Sequence, residues 1–211
     1  MSMDIRYALI ALAMSLVAAG CSPLAPRPDD TRYFILAPLA KADQQTAASN
    51  ARQPLTIGIG PIDFPDYLRR TQVVTRTNDN QIKLSPASRW AEPLDKNFER
   101  TLSENLSALL QTQRIEKYPW SNRRQINYQV TVYVVRFETD ASGQAQLVAR
   151  WIIKDGASGK DLYASETAAS KPVANDADGA SAALSSDLED LSAGIAAQIR
   201  LLEQRRPALS N

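Results

Sequence analysis

The 211 residues carry 24 Lys+Arg against 23 Asp+Glu, a formal net charge of +1, with no histidine and one cysteine. Without histidine there is no Ser-His-Asp or Cys-His catalytic set and no imidazole metal ligand, and one cysteine makes neither an internal disulfide nor a thiolate zinc cage. Near-neutral charge argues against a nucleic-acid partner, which takes clustered excess Lys/Arg, while 44% hydrophobic content is that of an ordinary globular domain.

The chain begins with an apolar run, Tyr7 to Ala19, preceded by Arg6. It is too short to span a hydrocarbon core of about 30 Å, which needs roughly 20 residues, but it fits the h-region of a secretory signal. Ala18-Ala19-Gly20-Cys21 follows and resembles the bacterial lipobox, although Ala18 stands where Leu is commoner and Asp4 offsets Arg6. On this reading residues 1–20 are a lipoprotein signal peptide, and Cys21 becomes the N-terminus carrying diacylglycerol and a further acyl chain such as palmitate. Two or more chains together anchor stably. Ser22, not Asp, follows Cys21, and this resembles an outer-membrane destination. The alternative is an ordinary cleaved signal with an incidental cysteine. Residues 21–30, with Pro23, Pro26 and Pro28, read as a semi-rigid tether of about 3.1 Å per residue.

Residues 31–206 read as one domain. Arg32 to Leu36 is a predicted strand, and Lys41 to Gln53 a connecting segment. Leu55, Ile57 and Ile59 alternate with small or polar residues, the period of a half-buried strand, and Pro61 and Pro65 are expected to break it. Gln72 to Thr77 and Gln81 to Leu84 flank Asn78-Asp79-Asn80 as a hairpin. Pro93, placed at the first helical position, opens a helix whose Leu94, Phe98, Leu102, Leu106, Leu109 and Leu110 form one stripe. Asn127 to Glu138, Gln144 to Lys154 and Asp161 to Thr167 read as a three-stranded meander. Leu184, Leu188, Leu191, Ile195, Ile199 and Leu202 make a second helical stripe that stops before Pro207. The expected class is α+β: a mainly antiparallel sheet with two amphipathic helices packed on one face.

Catalytic chemistry does not emerge. Gly58-x-Gly60 has Asp63 where a dinucleotide fingerprint needs a third glycine, and Pro61 blocks a helix there; a glycine-permitted bend accounts for it better. No lysine follows a serine at Ser-x-x-Lys spacing. The helix carboxylates Glu92, Asp95, Glu99, Asp187, Glu189 and Asp190 read as solvated, and Arg69-Arg70 and Arg123-Arg124 as exposed loops. No catalytic residue, metal ligand or cofactor other than the lipid on Cys21 is assigned. Two stretches stand out: Asp63 to Arg70 places aromatics in a Pro-bounded loop, and Arg89-Trp90 precedes the first helix. Tyr, Trp and Arg anchor interfaces, so Tyr67, Leu68, Arg69, Arg89 and Trp90 are candidates for contact with a partner or a second copy. Alternatively, Tyr67 and Trp90 cap the core.

These stretches also carry a family resemblance. The lipobox, R-Y-F-I-L, I-G-I-G-P-I-D-F-P-D-Y-L-R-R-T-Q-V-V-T-R, R-W-A-E-P-L-D-K-N-F-E-R-T-L-S-E-N-L and I-A-A-Q-I-R-L-L occur in that order. Together the chain resembles the ABC-type transport auxiliary lipoproteins of the paraquat-inducible protein C type. The resemblance implies a non-enzymatic lipoprotein anchored at the periplasmic face of the outer membrane. It further implies a partner with a mammalian-cell-entry (MCE) domain, a role in moving lipid between membranes and so in membrane integrity, and self-association matching a ring-shaped partner. Anchor, tether and a small α+β domain equally suit an outer-membrane lipoprotein that regulates a cell-wall enzyme by contact. A carboxylate hydrolase is the remaining rival.

Overall fold

A computed structural model describes residues 29–39, 55–120, 125–174 and 177–205. The predicted signal peptide, Cys21, the tether up to residue 28, the segment Lys41 to Gln53, Arg123-Arg124 and Pro207 lie outside the described residues. Thr31–Asn211 form one compact unit and Met1–Asp30 a separate one; the fold below is that of the former.

Among the described residues eight strands make one sheet: β1 (Arg32–Phe34), β2 (Ile57–Asp63), β3 (Gln72–Asn78), β4 (Gln81–Trp90), β5 (Ile115–Lys117), β6 (Tyr128–Asp140), β7 (Gln144–Asp155) and β8 (Asp161–Pro172). β6 is its spine. One edge of β6 pairs along its length with β7, which in turn pairs with β8, giving the antiparallel meander read from the sequence. The other edge is shared: β2 runs parallel to the first half, with Ile57 opposite Tyr128, and β3 runs parallel to the last residues, with Thr75 opposite Thr139. β4 closes an antiparallel hairpin with β3, and β1 and β5 add parallel edge pairings to β4 and β2. The sheet is therefore mixed. Its two longest ladders are antiparallel, and its parallel pairings join segments that hydrophobic alternation alone does not relate to one another.

The alternation in the meander sorts side chains as expected. Val130, Val132 and Val134 of β6 and Leu147, Ala149, Trp151 and Ile153 of β7 are buried, while Tyr133 and Val135 are exposed on the opposite face. Both helices, α1 (Leu94–Leu110) and α2 (Ala177–Arg205), cover the buried face. Leu94, Phe98, Leu102 and Leu106 of α1 and Leu184, Leu188, Leu191, Ile195 and Ile199 of α2 enter the core. Their centre is an aromatic triad: Phe98 meets Phe64 and Phe137 edge-on, each at a centroid distance of 5.2 Å. Edge-to-face pairs of this kind add to the burial of the rings. Pro93 is the N-cap rather than the first helical residue.

Two departures from expectation matter for the surface described next. Pro61 does not end β2; the strand continues to Asp63 through a bulge between Ile59 and Ile62. Gly60 makes this feasible, because its φ of +115° is open only to glycine and a Cβ there would lie 2.7 Å from that of Tyr118. β4 likewise runs on from Leu84 to Trp90 across a bulge, since Val74 pairs with Leu84 but Gln72 with Arg89. This delivers Trp90 to the start of α1.

Candidate interaction surface

The surface is built where the shared edge of β6 changes hands. β2 leaves it at Asp63 and β3 rejoins it at Thr75, so a stretch of β6 edge between them lacks a strand partner from that side. The intervening chain forms a single 3-10 turn, Asp66–Leu68. It buries Leu68 at 1% exposure and swings Tyr67 back toward β6. The Tyr67 hydroxyl donates to Glu138 Oε2 at 2.5 Å, and Arg76 Nε donates to Glu138 Oε1 at 2.5 Å. Arg76 also stacks its guanidinium 5.5 Å from the centre of the Tyr67 ring. A nearly buried carboxylate is thus satisfied on both oxygens by groups from two flanking segments, the condition for keeping its charge inside a fold. Burial, then the hydrogen bond to the Glu138 carboxylate, pushes the Tyr67 phenol up to about 12.

Beside this network, the end of β4 and the start of α1 border a surface recess of about 390 Å³ lined by Arg69, Arg70, Thr71, Trp90, Pro93 and Asp95, among others. Trp90 N donates to Thr71 O at 2.6 Å, which ties the two sequence stretches together. Arg69 is exposed and only loosely paired, 3.9 Å from Asp63 and 3.8 Å from Asp66. Arg89 is half-buried, and its Nε has no hydrogen-bond partner.

The five interface candidates therefore fall into different roles. Arg69 is an exposed part of the recess lining, held only by its long pairs with Asp63 and Asp66. Trp90, at 4% exposure, and Leu68 belong to the hydrophobic core, so their side chains hold the loop and the recess wall from within and offer little outer area. Tyr67 is half-buried and held by Glu138. Arg89 is close to Trp90 in sequence but, in a strand, points to the opposite face. The sequence reading passed over Arg76 and Glu138. They are 62 positions apart, and each looks like an ordinary charge on a strand.

What this arrangement offers is a shaped recess whose lining carries charges of both signs, Arg69 and Arg70 with Glu92 and Asp95. Among the described residues no group of three or more His, Cys, Asp or Glu could hold a metal ion, and no described helix is long and apolar enough to cross a membrane. Among the described residues the geometry defines a two-helix, eight-strand α+β domain with a loop-built recess at one end of α1. Residues 36–196 match the family model described as the ABC-type transport auxiliary lipoprotein component, and the chain belongs to that family. The intermembrane transport lipoprotein PqiC of Escherichia coli K12 is 27% identical over 158 residues, 71% of this chain and 81% of that protein. PqiC of Shigella flexneri matches to the same extent. Among solved structures, a Xanthomonas campestris protein superposes with a TM-score of 0.67 at 12% identity, covering 83% of this chain and 98% of its own. A crystal structure of an uncharacterised protein gives 0.64 at 21% identity, covering 80% and 98%. These two likenesses bear on the fold.

Proposed function

We propose that this lipoprotein docks a periplasmic lipid conduit at the outer membrane, as the non-enzymatic auxiliary component of an intermembrane transport system containing an MCE-domain protein. The observation that carries the reading is the family match across residues 36–196 together with PqiC relatives named as intermembrane transport lipoproteins. In this reading residues 1–20 are removed, Cys21 holds the acyl chains, and residues 21–30 space the domain from the bilayer. Membrane integrity depends on the lipid traffic so supported. Copies of the domain associate to match a ring-shaped partner, and the recess rimmed by Arg69 and Arg70 is the contact surface.

The test is recovery of the MCE-domain partner by the full-length lipoprotein from detergent-solubilised membranes. Charge reversal at the rim, Arg69→Glu with Arg70→Glu, removes exposed side chains without entering the core. Recovery should fall about tenfold or more, the scale of losing one interface hot spot. A folded double variant that recovers the partner as well as the wild type does would remove this surface from the reading. Wild-type protein that recovers a cell-wall synthase and no MCE-domain protein would replace transport with regulation.

A further inference from the structure

The acidic run at the middle of α2 reads as a solvated helix face, and Asp190 behaves so. Asp187 does not. It is 0% exposed, and neither carboxylate oxygen has a hydrogen-bond partner. An ionised carboxylate stripped of water and given no donors is strongly disfavoured against its neutral form.

The groups around it explain why nothing relieves this. One turn away on its own helix stand Ala183, Leu184, Leu191 and Asp190, by helical spacing. On the sheet face that α2 covers, the rung that carries Lys171 continues through Ala145 of β7 to Thr139 of β6, with Leu147 and Phe137 paired two residues along. Toward α2, α1 presents neutral amides, as where Asn105 Nδ2 donates to Ser192 Oγ. Among the described residues the cation that bears on Asp187 is Lys171 of β8, and Lys171 is engaged with Asp190 at 2.6 Å. Burial above all, against the pull of Lys171 and with the push of Asp190, raises the Asp187 carboxyl to about 7.

β8 is also the strand with most to lose. It has a single strand neighbour, β7, and none of its residues is buried, so its other support is α2. We propose that Asp187 is a proton-operated latch between α2 and the edge strand β8. Protonated, it lets the helix close on the strand; ionised, the buried carboxylate has no donor and must be reached by water, which parts the helix from the strand. The folded value lies above the ordinary carboxyl's 3.8, so closure is complete below about 3.8 and is lost as pH rises through about 7. This inference is independent of the transport reading.

Amide hydrogen exchange of the whole protein, followed by mass spectrometry from pH 5 to 8 and corrected for the intrinsic rate, tests it. Opening of segments 161–172 and 177–190 should rise about tenfold per pH unit toward pH 7 and then level off. Asp187→Asn, neutral at every pH, should abolish the rise. A flat wild-type profile, or the same rise in the Asn variant, overturns the latch. Should that variant fail to fold, carbon-13 NMR titration of the wild-type Asp187 carboxyl decides instead. A carboxyl midpoint near 7 that coincides with the pH at which wild-type exchange levels off upholds the proposal, and one in the ordinary carboxylate range ends it.

Discussion

Glu138 closes a gap that strand pairing leaves open. Two strands abut the same edge of β6 without meeting, and the carboxylate between them binds the hydroxyl of Tyr67 from one side and the guanidinium of Arg76 from the other. Removing its charge while keeping its shape should therefore unsettle both flanking segments. Glu138→Gln is expected to cost about 1.5–3 kcal/mol, the range for losing a hydrogen-bonded charge, read from chemical denaturation at neutral pH. The same substitution should bring the Tyr67 phenol down from about 12 toward the ordinary 10.0, because the Glu138 contact and its charge both raise it. In the wild type the Tyr67 contribution to stability is complete below pH 10 and is lost as pH climbs through about 12. Tyr67 was legible as unusual from its Pro-bounded loop. Its partners were not, since nothing local to Arg76 or Glu138 marks two strand charges that will meet.

At the scale of elements, the helices and the meander were legible because each carries its own period. The first strand's continuation was not. After β1 the chain runs from Ile35 to Leu39 between the two helices, held by side chains from both. Asn97 Oδ1 accepts from Leu36 N at 3.2 Å, Ser185 Oγ from Ala37 N at 3.0 Å and Asn105 Oδ1 from Leu39 N at 2.8 Å, while Ser181 Oγ donates to Ile35 O at 2.8 Å. This strap satisfies backbone groups that have no strand partner, which is why buried Asn and Ser interrupt otherwise apolar helix faces. A periodicity count reads those same residues as blemishes on the stripe. Contacts advance together along both helices, from Asn105–Ser192 to the bond between Arg200 and Leu109 O, so α1 and α2 run parallel with the strap between them, held from Asn97 to Asn105 on α1 and by Ser181 and Ser185 on α2. Asn105→Ala would strand the Leu39 amide and remove the bond that Ser192 accepts, leaving the Ser192 hydroxyl donating to Leu188 O, at a cost of about 1–3 kcal/mol. Hydrogen exchange at the Leu39 amide should speed up far more than at Val132 in the middle of β6. Equal acceleration at both sites would show a global loss of stability and no strap.

On the scale of the whole molecule, the sheet has one face built for the core and an opposite face that is open to solvent around Tyr133 and Val135, and the two should respond differently to substitution. Phe98 is fully buried at the junction of α1 with the sheet, edge-on to Phe64 and Phe137. Its ring joins the helix to β6 and to the loop that follows β2, so Phe98→Ala removes packing from three segments at once. The expected cost is about 3–5 kcal/mol, a large share of the roughly 5–15 kcal/mol that holds a domain together. That corresponds to a fall in Tm of roughly 6–20 °C for a chain of this size. Tyr133, on the opposite face of β6, is 43% exposed, and Tyr133→Thr keeps a strand-forming residue there. It should change stability by about 0.5 kcal/mol or less. Paired thermal melts of the two variants decide the matter. Comparable losses would mean that the outer face is packed against something in solution, most simply another copy of the domain, whereas a large loss at Phe98 alone leaves that face bare and directs contacts with partners to the loops around the start of α1.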